Sequence, residues 1–213
     1  MVVVLNLIIM LCYEPNNHDI IGEIPYSLSL DGTRYYRVNR VPHRNDGPAV
    51  ITPTGTYKWY QHGKLHRDGD LPAVVYRDGC KKWYQHGKRH RDHGKPAVLK
   101  PDGTQLWYQH GRLHRNFDLP AAVFPDGTKQ WLQDGEYHRD DDLPAIVNPD
   151  GTKGWYQHGK LHRDGDLPAV ETADGTKAWY RYGKLHRDGS RPALIAADGT
   201  RRWYHLGELR GSD

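Results

Sequence analysis

The sequence predicts an all-β fold, an elongated and twisted antiparallel sheet built from tandem β-hairpin repeats of 24 residues. Three observations support this prediction. One motif recurs at a fixed step through nearly the whole chain, each copy contains two turn signals, and no long stretch has the apolar spacing of a helix. The letters WYQHGKLHRDGDLPAV begin at Trp59 and return unchanged at Trp155.

The repeat keeps a strict register. Its Asp-Gly turns are separated by 24 residues after a first step of 23, and His-Arg and Pro-Ala pairs follow at constant offsets. One position of the repeat is always aromatic, first as Tyr36 and then as Trp59, Trp83, Trp107, Trp131, Trp155, Trp179 and Trp203. We name each repeat by this residue. A single copy is too short to bury a core, so we expect these tryptophans to be structural and to pack between neighbouring copies.

Two turns divide each copy. In the Trp59 repeat, His62-Gly63 predicts a two-residue hairpin turn in which Gly63 has positive φ. That turn places Tyr60 opposite Leu65, so Tyr and Leu share one face while Trp and His share the other. The second turn is Pro-Asp-Gly-Thr, as at residues 101–104, with Asp as the cap and Gly in the left-handed region. Two turns predict two strands per copy.

Composition favours a thin, surface-rich molecule. The mean hydropathy is −0.87 and 37% of the residues are apolar, which leaves little material for a thick core. The net charge of +4 comes from 30 basic and 26 acidic residues, so neither a nucleic-acid nor a membrane partner follows from charge alone, and a nucleic-acid partner is not expected. Cys12 and Cys80 are too few and too far apart for a disulfide framework, so a reducing compartment is the simpler expectation.

The two ends of the chain differ from the regular copies. Residues 1–30 are interpreted as an apolar leading strand and a degenerate half-repeat that acts as a cap or an interface, although a targeting role for residues 1–12 stays open. Residues 31–213 hold the tandem repeats, the last of them truncated. An open sheet leaves unpaired edges, and homodimerisation through residues 1–24 or the terminal repeats is the expected consequence.

The string of an aromatic strand, Gly-Lys-x-His and a Pro-Asp-Gly turn resembles the MORN repeat, in particular variants that occur in multiple copies in large DNA viruses of amoebae. The resemblance covers roughly residues 23–210. The sequence departs from the usual motif at Arg67 and at the Pro72-Ala73 insertion. The resemblance implies a β-hairpin scaffold or adaptor, in some cases lipid-binding, and a viral protein located in the host cytoplasm or the virion.

Catalysis, cofactors and metals are not predicted. Of the 14 histidines, His66, His90, His114, His138 and His162 recur at one position of the repeat, whereas an active site is normally built once from unlike residues. We interpret the repeated His-Arg-Asp set as a polar ladder, in which Arg67 pairs with Asp68 or with a carboxylate of the next repeat. The turn histidines have no carboxylate at a ligand spacing and are expected to be solvated; they are His62, His86, His110 and His158.

Two surfaces are candidate binding sites. A basic column is formed by the residue that follows the hairpin turn, and it consists of Lys64, Lys88, Arg112, Lys160 and Lys184. An acidic patch marks the Trp131 repeat and consists of Asp134, Glu136, Tyr137 and Asp141. His93 and Phe117 are further departures from the consensus, which mark either a partner site or drift between copies.

The sequence therefore predicts a non-enzymatic scaffold or protein-interaction adaptor that associates with itself or with another protein. The alternative is a binder of acidic lipid or another anionic ligand through the basic column, with a membrane surface as the less favoured partner.

Overall fold

The computed structural model describes residues 26–213, which contain strands and turns and no helix. The predicted all-β hairpin-repeat fold is confirmed. Most of the predicted leading segment, including Cys12 and the proposed interface at residues 1–24, lies outside the described residues. Within residues 26–213, no helix is long and apolar enough to cross a membrane.

Thirty short strands follow one another along the described chain. They are β1 (Tyr26–Leu28), β2 (Arg34–Val38), β3 (Val41–Pro42), β4 (Val50–Ile51), β5 (Tyr57–Lys58), β6 (Tyr60–Gln61), β7 (Lys64–Leu65), β8 (Val74–Val75), β9 (Lys81–Lys82), β10 (Tyr84–Gln85), β11 (Lys88–Arg89), β12 (Val98–Leu99), β13 (Gln105–Leu106), β14 (Tyr108–Gln109), β15 (Arg112–Leu113), β16 (Ala122–Val123), β17 (Lys129–Gln130), β18 (Leu132–Gln133), β19 (Glu136–Tyr137), β20 (Ile146–Val147), β21 (Lys153–Gly154), β22 (Tyr156–Gln157), β23 (Lys160–Leu161), β24 (Val170–Glu171), β25 (Lys177–Ala178), β26 (Tyr180–Arg181), β27 (Lys184–Leu185), β28 (Leu194–Ile195), β29 (Arg201–His205) and β30 (Glu208–Ser212).

A long antiparallel sheet of 17 strands runs through all the copies. From the Trp59 repeat onward, each copy contributes the strand before its tryptophan and the strand after its Pro-Ala pair. Successive pairings give the order β1-β2-β4-β5-β8-β9-β12-β13-β16-β17-β20-β21-β24-β25-β28-β29-β30.

Each regular copy also forms a separate two-stranded hairpin, such as β6–β7, so the prediction of two strands per copy was wrong. The copy contains four short strands because the backbone changes partners at the tryptophan. The Trp59 N–H donates to the Ala73 carbonyl at 2.8 Å, while the Trp59 carbonyl accepts from the His66 N–H at 3.1 Å. These two bonds join the long sheet to the hairpin.

The predicted turn chemistry and hairpin register are confirmed. Tyr60 pairs with Leu65, and φ is +74° at Gly63 and +47° at His62, as in the hairpin turns that require two left-handed residues. In the second turn, the Thr104 N–H donates to the carboxylate of Asp102 at 2.7 Å.

Neighbouring hairpins are joined by their backbones. The Gly87 N–H donates to the Leu65 carbonyl of the preceding copy at 2.8 Å, and the Gly111 N–H donates to the Arg89 carbonyl at the same distance. A side chain at the glycine would lie against the preceding copy, since a Cβ at Gly87 would be 3.6 Å from the Lys64 Cβ. The row of hairpins is therefore stacked as tightly as the long sheet.

The core is a narrow row where the long sheet meets the hairpins. The alanine of each Pro-Ala pair is fully buried, and Trp83 and Trp155 are each 6% exposed. A small alanine fits here because its carbonyl accepts the N–H of a tryptophan, which brings the two backbones close together. The tryptophan also reaches the preceding copy, since the Trp83 indole N–H donates to the Asp70 carbonyl at 3.0 Å, so neighbouring copies share this core.

Candidate interaction surfaces

A histidine ladder connects successive hairpins. The Nε2 atom of His66 lies 2.9 Å from the Asp68 carboxylate, and the His66 Nδ1 atom accepts the backbone N–H of His86 at 3.1 Å. Because Nδ1 accepts a hydrogen bond, the ring is the neutral tautomer that donates from Nε2 to Asp68. The His86 ring stacks on His66 with 4.6 Å between ring centroids.

This arrangement recurs along the array. The backbone N–H one copy later donates to Nδ1 of His43, His90, His114, His138 and His186. His162 is the exception, because its buried Nδ1 has no hydrogen-bond partner and Tyr182 stacks on its ring instead. The turn histidines are therefore packed against the preceding copy rather than simply solvated. No group of three or more potential metal ligands occurs within residues 26–213.

A second set of contacts fastens each tryptophan to the preceding copy. The Arg163 guanidinium stacks over Trp155 at 3.9 Å and donates from Nε and Nη2 to the Asp142 carboxylate, both at 2.8 Å. The Trp155 indole N–H donates to the Asp142 carbonyl at 2.9 Å. Asp142 thus accepts hydrogen bonds from both side chains. Its carbonyl binds the indole, and its carboxylate binds the guanidinium in the bidentate geometry that favours this pair.

The predicted partner of the arginine was wrong. Arg163 pairs with Asp142 of the preceding copy, which lies 21 residues earlier in the sequence. It pairs neither with the adjacent aspartate nor with the next copy, because the adjacent aspartate already accepts from the histidine, as Asp68 does from His66. We call a contact between copies that contains this arginine–aspartate pair a closed junction. The described residues contain four, at Asp70–Arg91, Asp118–Arg139, Asp142–Arg163 and Asp166–Arg187.

Two of the junctions where an arginine stacks on a tryptophan lack the carboxylate. Gly94 occupies the aspartate position opposite Arg115, whose Nη1 donates to the Pro120 carbonyl at 3.3 Å and whose buried Nε has no hydrogen-bond partner. We call this the open junction. Arg67 also has no carboxylate partner, at the copy where the preceding loop is one residue shorter, and its Nη1 donates to the Pro72 carbonyl.

Charge pairing sets the ionisation of the junctions. The Arg163 guanidinium lowers the pKa of Asp142, and hydrogen bonds from Arg91 and then Lys95 lower the pKa of Asp70. At the open junction, burial lowers the pKa of Arg115, and no carboxylate offsets that burial. Arginine is nevertheless protonated in proteins, so the open junction holds an uncompensated positive charge.

The basic column lies on the outer edge of the hairpin row. Its five members occupy the first position of the second hairpin strand, and all five side chains are exposed. Within residues 26–213, none of them forms an ion pair or a side-chain hydrogen bond. Glu136 stands in the same column, since a Cβ at Gly159 would be 3.7 Å from the Glu136 Cβ. The column is therefore two segments separated by an acidic residue.

The structure divides the predicted acidic patch. Asp134 and Glu136 lie at the hairpin turn, where the Asp134 carboxylate is 3.7 Å from Nδ1 of His114. Tyr137 packs its ring against Tyr156, with 5.1 Å between centroids, and its hydroxyl donates to Gln130. Asp141 lies in the connecting loop and lines the cavity beside Asp142. The four residues thus belong to two elements, the hairpin and the connecting loop.

Cavities form between the connecting loops of neighbouring copies. The cavity at the open junction has a volume of about 330 Å³, and both His93 and Phe117 line it. The two departures that the sequence left as a partner site or drift therefore lie in one place. Sequence reasoning missed Gly94 and Arg115. An alignment of the copies would have indicated this site, because it places Gly94 where four other copies have the paired aspartate.

No protein-family model matches the sequence, and no curated protein matches it significantly. The resemblance to MORN repeats consequently stays a resemblance.

Proposed function

We propose that this protein is a non-enzymatic scaffold or adaptor that associates with itself through its N-terminal end. The observation that carries the proposal is the use of the reactive side chains. Histidines bind the neighbouring copy at six places along the array, and arginine–aspartate pairs do so at the four closed junctions. What differs between copies is the exposed surface, where an adaptor recognises partners.

The N-terminal edge supports self-association. Strand β1 pairs with β2, and no other described strand pairs with it. Three apolar side chains are exposed around this edge, Tyr26 at 46%, Leu28 at 65% and Leu30 at 95%. The opposite end closes with β30, which carries Glu208 and Arg210. Charged residues discourage strand addition, whereas an apolar edge favours it.

The test is the mass of the protein in solution, measured by light scattering. We expect the full chain to form a dimer or larger assembly. A chain that starts at Pro25 should contain fewer subunits per particle. In the full chain, Leu28→Glu should lower the mass. The matched control is Leu209→Glu, a 57% exposed leucine at the other end, which should leave the mass unchanged. A monomeric full chain, or equal masses for the full and shortened chains, would count against self-association through this end.

A second candidate function is supported by the unpaired basic column. Five exposed cations in register along one edge suit an acidic lipid surface, since each basic residue near such a surface contributes about 1 kcal/mol of attraction. Sedimentation with phosphatidylserine vesicles tests this binding. Replacing Lys64, Lys88 and Lys160 with glutamate should abolish it.

The long sheet provides a control with the same change in charge. Lys81, Lys153 and Lys177 are exposed on the long sheet, outside the basic column, and their replacement with glutamate should preserve binding. Binding should also weaken with salt, because exposed charges are screened. Equal loss in the two triple variants, or binding that ignores salt, would exclude a specific role for the column.

A further inference from the structure

The Arg115 guanidinium is held in place on two sides. It stacks over Trp107 at 3.8 Å, and its Nη1 donates to the Pro120 carbonyl at 3.3 Å. The Trp107 indole N–H is itself fixed by the Gly94 carbonyl at 2.7 Å. The remaining donors, including the buried Nε, have no acceptor in the described chain. A buried donor without an acceptor is uncommon in folded proteins and calls for an explanation.

The four closed junctions show that an arginine stacked on a tryptophan in this way binds a carboxylate. At each closed junction the Nε and Nη2 atoms of the arginine donate to the two oxygens of one carboxylate, at distances of 2.6 to 3.1 Å. The stacked tryptophan and the proline carbonyl are the same in each. The open junction therefore retains the carboxylate-binding half of the pair and lacks the carboxylate.

The carboxylate position opens to solvent, while the Arg115 Nε that it would bind is buried. In the closed junctions, the aspartate side chains remain 33% to 52% exposed, so the carboxylate position borders the solvent. At Gly94, a Cβ would meet no atom within 4 Å. A carboxylate that comes from outside can therefore reach the position that the aspartate takes elsewhere.

Local charge favours an anion at this place. Three arginine or lysine residues and one aspartate line the cavity, namely Arg91, Lys95, Arg115 and Asp92. Arg91 and Lys95 are already paired with Asp70, and Asp92 accepts from His90 and Gln85. Asn116 further reduces the acidity, because it replaces the aspartate that accepts from the histidine in other copies.

We propose that the cavity at the open junction binds a carboxylate from outside the chain, through the Nε and Nη2 atoms of Arg115 stacked on Trp107. The site goes beyond the proposed scaffold role, since it predicts a ligand whether or not the protein self-associates. Phe117 lines the same cavity with 91% of its side chain exposed, which suits a ligand with an apolar group beside its carboxylate.

The test is nuclear magnetic resonance of the full chain, observing the Nε–H signal of Arg115 and the indole N–H signal of Trp107. Sodium acetate is titrated against sodium chloride at constant ionic strength. We expect acetate, and not chloride, to shift both signals saturably. The Arg139 signal serves as an internal control, because its carboxylate position is filled by Asp118, and it should not move.

Two variants test the assignment from opposite directions. Gly94→Asp supplies an internal carboxylate and should abolish the response of Arg115 to acetate. Asp118→Gly opens a closed junction and should create a new response at Arg139. A response of Arg115 that persists in Gly94→Asp, or the lack of any response at Arg139 in Asp118→Gly, would overturn the proposal. An unresponsive Arg115 in the unaltered protein would do the same.

Two capped peptides distinguish the source of the carboxylate. Acetyl-Gly-Asp-Gly-amide carries only a side-chain carboxylate, and acetyl-Gly-Gly carries only a terminal one. Because the internal template is an aspartate side chain, we expect the first peptide to give the tighter of the two saturable responses. A response to the second peptide alone would assign the site to chain termini, and the absence of a response to either peptide and to acetate would refute it.

Discussion

The Asp142 and Gly94 junctions lie two repeats apart and are built from the same parts. In both, an arginine stacks on a tryptophan, at 3.9 Å for Arg163 and 3.8 Å for Arg115. In both, the indole N–H donates to the carbonyl of the preceding loop, at 2.9 Å and 2.7 Å. They differ in the carboxylate, which only the Asp142 junction has.

Four differences together reverse the charge of the loop surface. His93, Gly94, Lys95 and Asn116 stand where the Asp142 junction has Asp141, Asp142, Leu143 and Asp164. Four aspartates and two arginines line the cavity at Asp142, whereas one aspartate and three basic residues line the cavity at Gly94. The stacked pair of arginine and tryptophan is common to both junctions, and it recurs in every copy from Trp59 to Trp179. The carboxylate is the variable part, so it sets what a surface attracts without changing how copies are joined.

Low pH should have the largest effect on stability, because it protonates the aspartates of all four closed junctions together. Arginine lowers the pKa of Asp118 and Asp142 in the folded protein, and the same holds at Asp70 and Asp166. A carboxyl group whose pKa is lower in the folded protein than in the unfolded chain stabilises the fold. This stability is fully present above the unfolded pKa of about 3.9, and it is lost as the pH falls through the folded pKa.

We therefore expect the urea midpoint of unfolding to fall steadily below about pH 4. Because the carboxylates are partly exposed, salt should weaken the effect. The control is Asp142→Asn, which removes one titrating pair and should have a shallower pH dependence. An identical fall in both proteins would show that the closed junctions do not contribute to acid unfolding.

Removing the tryptophan should have the largest effect of any single substitution. Trp155→Ala deletes a side chain that is 6% exposed and leaves Arg163 without its stacking partner, so we expect a loss of about 3 to 5 kcal/mol in the free energy of unfolding. Trp107→Ala at the open junction is the matched variant. Its loss should be smaller by about 1 kcal/mol, because no ion pair is disturbed with it. Urea unfolding measures both, and an equal or larger loss at Trp107 would contradict the role given to the carboxylate.

Opening a closed junction should cost less. Asp142→Ala leaves the Arg163 Nε without its acceptor, and we expect a loss of about 1 to 2 kcal/mol, limited by the half-exposed carboxylate. The neighbouring Asp141 has φ of +57° against +53° at Asp142, and its side chain forms no ion pair or hydrogen bond with residues 26–213. Asp141→Ala thus introduces the same backbone strain as Asp142→Ala. Apart from that strain, its loss of unfolding free energy should be no more than about 0.5 kcal/mol. Similar losses would indicate that strain, and not the ion pair, dominates.

The sequence predicted the parts of the structure that depend on local turn chemistry. Gly63 and the Pro-Asp-Gly turns gave the correct hairpin register, because a two-residue turn with left-handed φ permits only one pairing. It failed where partners lie in different copies. Nothing in the spacing of Arg163 distinguishes an aspartate one residue ahead from one that lies 21 residues behind, until the fold at Trp155 brings the preceding loop into contact.

The candidate surfaces show the same division. The basic column was predictable, since residues at one position of a stacked repeat must lie in register. The sequence did not show that the acidic patch draws on two elements, with Asp134 on the hairpin and Asp141 in the connecting loop. The open junction depends on a residue that lacks a side chain, and its meaning emerged only when the structure showed what aspartate does at the same position.

Closing the open junction is the smallest expected effect and the sharpest comparison. Gly94 has φ of +66°, and the aspartates of the closed junctions adopt +49° to +58°, so an aspartate fits the backbone here. Gly94→Asp should raise the free energy of unfolding by about 0.5 to 1 kcal/mol, because the buried Arg115 Nε gains an acceptor. Gly94→Asn is the control, since it has the same size and tolerates the same φ but carries no charge. Urea midpoints should rank aspartate above asparagine. The advantage should shrink as the pH falls below about 4 and vanish once the pH passes the folded pKa, which Arg115 should lower as arginine does at the closed junctions. If asparagine were as stabilising as aspartate at neutral pH, filling of space rather than charge would explain the gain, and the two junctions would differ in packing alone.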